Sequence, residues 1–159
     1  MNENERNLSP EDELIEPGIE IASIGILFEK IDKLREEKFD AAMAILLSGD
    51  RISCCDEGVI MSDKDKTIGL ATIAPEGEER SGQPTIVGLY VAPKYRKKGY
   101  GAKILQRAVE RCLERGLDKK GKIRMEVLSA RAKKIIDGFP DDLKEKIEVY
   151  DLGSTMDDF

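Results

Sequence analysis

Apolar positions change their spacing several times along the chain, and each change marks an element. Leu27, Ile31 and Leu34 follow a helical step, as do Phe39, Met43 and Leu46. The five-residue step between the two sets predicts two helices, or one bent near Arg35–Lys38, ending at Ser48-Gly49-Asp50. Val59-Ile60-Met61 and Thr67–Ala74 read as strands joined by the polar turn Ser62–Lys66. Pro75–Pro84 reads as a loop, and Thr85–Ala92 as a third strand rich in β-branched residues. The clearest helix carries the stripe Ile104/Leu105, Ala108/Val109, Cys112/Leu113 and stops at Gly116. Ile123, Met125 and Val127 alternate with Arg124 and Glu126, as a half-buried strand does. A short helix from Ser129 to about Asp137, another from Pro140, and a strand Glu148–Leu152 complete the order ααβββαβααβ. This is a mixed α/β domain over residues 19–159, preceded by an acidic arm at 1–18 that holds six acids and one base, Arg6.

Composition narrows the chemistry. The 159 residues include no His and no Trp. Ser-His-Asp and Cys-His catalysis are therefore excluded, and acid/base work falls to carboxylates, Lys, Tyr, Cys, the N-terminus or water. Cys54, Cys55 and Cys112 are odd in number and two are adjacent, which suits neither a disulfide framework nor a metal site. They read as small hydrophobes in a reducing cytoplasm. No apolar run approaches a membrane span, and the acidic N-terminus is unlike a signal peptide. A soluble cytoplasmic protein without a metal is expected.

Charge is unevenly spread. The net charge is −6, yet Lys94–Arg124 holds twelve bases against three acids. Within it, Arg96-Lys97-Lys98-Gly99-Tyr100-Gly101 joins a strand to the strong helix. Unpaired N–H groups and the macrodipole at a helix start favour an anion, and glycines let it approach the backbone. A phosphate or pyrophosphate is the natural ligand. The segment is neither a Walker loop nor a dinucleotide fingerprint, since it lacks the Gly-Lys-Ser/Thr ending and the third glycine. Arg107, Arg111 and Arg115 repeat every four residues opposite the apolar stripe and read as a solvated face.

Arg96-Lys97-Lys98-Gly99-Tyr100-Gly101 resembles the [Q/R]-x-x-G-x-[G/A] motif of the GNAT superfamily of acyl-CoA N-acyltransferases. Leu89-Tyr90-Val91-Ala92-Pro93 resembles that family's fourth strand, and Thr67–Ala71 its third. The resemblance implies a mostly antiparallel mixed sheet with splayed central strands, near Tyr90 and Val127, and flanking helices. It implies acetyl-CoA as co-substrate, with its pyrophosphate on the backbone N–H groups of Arg96, Lys97, Lys98, Gly99, Tyr100, Gly101 and Ala102. Main-chain groups of Leu89, Tyr90 and Val91 would pair with the pantetheine arm. A primary amine, on a small molecule or a peptide Lys or N-terminus, would then attack the thioester directly in a ternary complex. A homodimer is left open.

The acid/base set departs from the family pattern. The fourth strand, Thr85–Val91, has no acid where many members carry a carboxylate base, and neither Tyr nor Asn occurs between Gly101 and Val149. Candidate bases are Glu76, Glu78 and Glu79, which read equally as solvated loop charges, or a water chain. Tyr150 is a candidate acid or a packing residue, and Ser129 a polar site residue or a helix N-cap. No catalytic residue is assigned. Two other readings stand beside the N-acetyltransferase: a non-catalytic CoA-binding or regulatory module, and a basic nucleic-acid-binding domain using Lys94–Arg124.

Overall fold

The computed structural model describes residues 17–37, 52–77, 81–127 and 130–151. Its six strands lie in chain order in one sheet: β1 Gly18–Ser23, β2 Glu57–Asp63, β3 Lys66–Ala74, β4 Thr85–Val91, β5 Ile123–Val127 and β6 Ile147–Asp151. The pairs from β1 to β4 are antiparallel, whereas β4–β5 and β5–β6 are parallel. The helices are α1 Ile24–Glu37, α2 Tyr100–Glu114, α3 Ala130–Asp137 and α4 Asp141–Lys144. The strands read from the sequence are found, and the mixed α/β fold is as expected. β1 was not foreseen, and the first helix starts at Ile24 rather than Leu27. The stripe Phe39, Met43, Leu46 and the arm up to residue 16 lie outside the described residues.

Each face of the sheet has its own core. Along β2, Val59 and Met61 turn to one side and Ile60 to the other, as the two-residue period requires. The first side receives α2, whose Ile104, Leu105, Ala108, Val109 and Cys112 are buried. Removing each Ile, Leu or Val from water contributes about 1.5–3 kcal/mol. Ile136, Phe139 and Leu143 extend this layer over Ile123, Met125 and Ile147. On the second side, Leu27, Ile31 and Leu34 of α1 cover Ile60, Leu70 and Tyr90.

The far half of α2 is tied to β2. Arg111 Nε donates to Glu57 Oε1 at 2.6 Å, and Arg115 Nη2 to Asp56 Oδ2 at 2.8 Å. The hydrogen bond to Glu57 raises the Arg111 pKa above its ordinary value, and the bond to Asp56 does the same for Arg115. This corrects the reading of these arginines as a solvated face. Their partners lie more than fifty residues away in the chain, where helical spacing gives no hint of them.

Two irregularities shape the centre of the sheet. Thr72 pairs with Gly88 and Ile73 with Ile86, so Val87 is an extra residue on β4. Such a bulge bends its strand and increases the local twist. Beyond it, β4 leaves its neighbour. β4 and β5 pair only at Thr85–Arg124 and Ile86–Met125, and then diverge.

Candidate functional site

The divergence of β4 and β5 makes a V that is closed at their first residues and open toward Val91 and Val127. The closed end is pinned. Arg124 N donates to Pro84 O at 2.8 Å. Gln83 Nε2 reaches both Lys122 O and Glu148 Oε1, each at 3.0 Å. At the open end, Ala92 N still donates to Ile68 O, and a 3₁₀ turn at Pro93–Tyr95 stops the strand. Proline suits this place because it fixes its own φ and ends ladder pairing.

The motif loop follows. Arg96 is extended, Lys97 has φ 66°, and Gly99 has φ 84° as the residue before the first turn of α2. The left-handed conformation costs a non-glycine residue about 1–2 kcal/mol, so Lys97 stores strain in the loop, while glycine relieves Gly99 of it. The loop is braced from within. Arg96 Nε donates to Val91 O at 2.7 Å, and its guanidinium lies 5.5 Å from the Tyr90 ring centre. Buried Tyr95 meets Tyr100 edge-on at 6.3 Å.

The start of α2 suits an anion. No side chain caps it and no acid lies in its first turn, so the dipole's positive end is not neutralised by its own helix. Lys94, Lys97 and Lys98 are exposed around it. Gly101 lies against the β4 wall of the open V and against α3. A Cβ there would meet Ile135 Cδ1 at 3.4 Å, with Leu89 Cδ2 and Val91 Cγ2 at 3.6 Å. The residues from Leu89 to Val91 and from Arg96 to Ala102 are thus brought to one end of the sheet. The Tyr90 side chain is buried on the α1 side. The Val91 carbonyl already accepts from Arg96.

The proposed acids and bases are scattered. Glu76 is exposed two residues beyond the end of β3, beside the closed end of the V. Glu78, Glu79 and Ser129 lie outside the described residues. Tyr150 donates its hydroxyl to Glu148 at 2.6 Å, which raises the Tyr150 pKa and holds the Glu148 carboxyl below its ordinary range. Burial pushes the Cys112 thiol up to about 12, so it is no nucleophile at neutral pH. A residue passed over in the sequence stands out instead. The Glu126 side chain is only 5% exposed and pairs with Arg124 at 3.4 Å. Among the described residues, no group of three His, Cys, Asp or Glu could hold a metal ion, and no helix is long and apolar enough to cross a membrane.

The positive charge of the segment is partly matched by carboxylates of the chain itself. Arg107 pairs with Glu110 and Glu114, Arg111 with Glu57, Arg115 with Asp56, and Arg124 with Glu126. The hydrogen bond from Arg107 also lowers the Glu114 pKa. Such matching works against an extended surface for nucleic acid, which needs bases turned outward in a stripe.

Comparison with solved structures returns acetyltransferases. The GNAT family N-acetyltransferase YhbS from Escherichia coli, solved in complex with CoA, has a TM-score of 0.52 and 20% identity over 81% of this chain and 71% of its own. A GCN5-related N-acetyltransferase from Ralstonia eutropha has a TM-score of 0.49 and 18% identity, over 78% of this chain and 92% of that one. An aminoglycoside acetyltransferase from an uncultured soil metagenomic sample, solved with trehalose, has a TM-score of 0.49 and 14% identity, over 82% and 86%. Curated proteins return no match. The sequence model of the Acetyltransferase (GNAT) family matches residues 27–132, which span the V, the motif loop and α2. The chain belongs to the GNAT acetyltransferase family.

Proposed function

We propose that the protein is an N-acetyltransferase that moves an acetyl group from acetyl-CoA to a primary amine by direct attack in a ternary complex. One observation carries the reading: the open V between β4 and β5 meets an uncapped, acid-free helix start through a glycine loop. The first turn of α2 supplies N–H donors for the pyrophosphate, and the basic loop adds long-range attraction. Released from β5, the backbone of β4 offers pairing groups to an extended pantetheine, much as a sheet edge does to a peptide. The thiol end then lies toward the vertex of the V. There, positioning and polarisation of the thioester carbonyl account for most of the rate, which suits a chain without His.

A thermal-shift titration tests the binding half. Acetyl-CoA at a hundred times its Kd stabilises the folded state by about 2.7 kcal/mol. An unchanged melting temperature at millimolar acetyl-CoA would refute the reading. Thiol release from acetyl-CoA across a panel of primary amines tests the transfer half. Binding without release for any amine favours the non-catalytic module.

A further inference from the structure

The fourth strand brings no carboxylate to the V, but the fifth does. Glu126 is the first residue of β5 beyond Met125, the last one paired with β4, so it stands at the vertex. Met125 belongs to the core under α2, and strand alternation puts Glu126 on the opposite face. A cofactor bound at the start of α2 and threading the V would therefore present its thioester between its own face and that of Glu126. The carboxylate is kept from water by its surroundings and paired with Arg124. Arg124 is shared, since its guanidinium also lies 3.6 Å from the Tyr150 ring centre. Thr72 alternates with Ala71 and Ile73 and faces the same way as Glu126. Its hydroxyl is fully buried and has no hydrogen-bond partner, a state native proteins rarely leave unexplained. The β4 residue paired with Thr72 is Gly88, which carries no side chain.

On the acyl-CoA reading given above, we infer that Glu126 receives the ammonium group of the acceptor and takes its proton. The balance is simple. The ammonium passes one proton to the Glu126 carboxylate, and the freed lone pair forms the C–N bond to the thioester carbon. The C–S bond breaks with its electron pair going to sulfur. The second nitrogen proton goes to the departing thiolate, giving amide and CoA thiol. Glu126 then releases its proton to solvent. The acceptor class is a primary amine that is cationic at neutral pH.

Two thioether analogues of equal size test this without knowledge of the acceptor: S-(3-aminopropyl)-CoA, which carries an ammonium three methylenes beyond the sulfur, and S-butyl-CoA, which carries a methyl there. In calorimetric titration at neutral pH the aminopropyl analogue should bind about tenfold more tightly, the scale of one desolvated charge pair. Glu126→Gln should erase that preference and leave S-butyl-CoA binding unchanged, while Glu126→Asp should retain part of it. Equal affinity of the two analogues for the unaltered protein would overturn the assignment, and that comparison needs no variant to fold. A preference that survives Glu126→Gln would overturn it as well. Failure of both analogues to bind would instead overturn the acyl-CoA reading, and the role of Glu126 with it.

Discussion

The two seams of β4 are built in opposite ways. Toward β3, six residue pairs run the length of the strand, interrupted only by the bulge at Val87. Toward β5, two pairs hold and the rest of the strand is released. The first seam is closed by ladder bonds and by close backbone approach. The second is closed at one end, by Gln83 and the first pairs, and left open at the other. Both are needed for the same purpose. A released strand keeps its shape only if its other edge is fully held, because unpaired backbone groups otherwise find new partners.

The largest effect is expected at the closed seam. A Cβ on Gly69 would sit 2.5 Å from the Tyr90 carbonyl oxygen and 2.9 Å from Ile104 Cδ1. Gly69→Ala should therefore cost about 3 kcal/mol through overpacking, seen as a melting temperature lower by about 6–12 °C. An unchanged melting temperature would mean that the seam yields as easily as the open one.

Changes at the open seam should leave the fold and remove the ligand. Gly99→Val meets empty space, but it forces a β-branched residue to φ 84°, at about 1–3 kcal/mol. Gly101→Val keeps an ordinary φ and drives its methyls into Ile135, Leu89 and Val91. Both variants should melt cooperatively and lose the stabilisation by acetyl-CoA. Retained stabilisation in both would place the cofactor elsewhere.

A smaller effect concerns the tie between α2 and β2. Arg111→Ala removes a partly exposed pair with Glu57, worth about 1 kcal/mol or less. Chemical denaturation should register it, while the response to acetyl-CoA stays as it was. Loss of that response would show that the far end of α2 sets its near end.

The smallest effect is at the pin of the V. The Tyr150 hydroxyl and Gln83 hold the Glu148 carboxyl below its ordinary range. A depressed folded value stabilises the protein above the unfolded pKa, and the contribution is lost as pH falls through the folded one. The melting difference between the native chain and Glu148→Gln should thus be full at neutral pH and close below about pH 4. A difference independent of pH would show that the bond, not the charge, does the holding.

Much of this was legible in the sequence, for reasons that differ by element. The strands β2 to β4 announce themselves as apolar runs buried on both faces, and β5 and the helix α2 by a buried face that repeats at a clean period. The glycine loop is legible because its conformation restricts residue type. β1 was not, since only Ala22 of its six residues is buried and an edge strand needs little apolar patterning. Glu126 was read as the polar phase of an alternating strand, the usual sign of a solvated face. Its burial comes from what surrounds it, which the alternation does not encode. The open V was foreseen through the family resemblance; no spacing in β4 states that pairing stops after Ile86.

The ion pairs that fasten the end of α2 to β2 have a dynamic consequence. Amide hydrogens in its last turns, near Arg111, should exchange more slowly than those of its first turn, which no side chain caps and which precede the first intrahelical bonds. Exchange along this one helix should therefore be graded. A ligand seated on the loop would slow its fast end alone, giving a readout of occupancy confined to a few amides after Gly99.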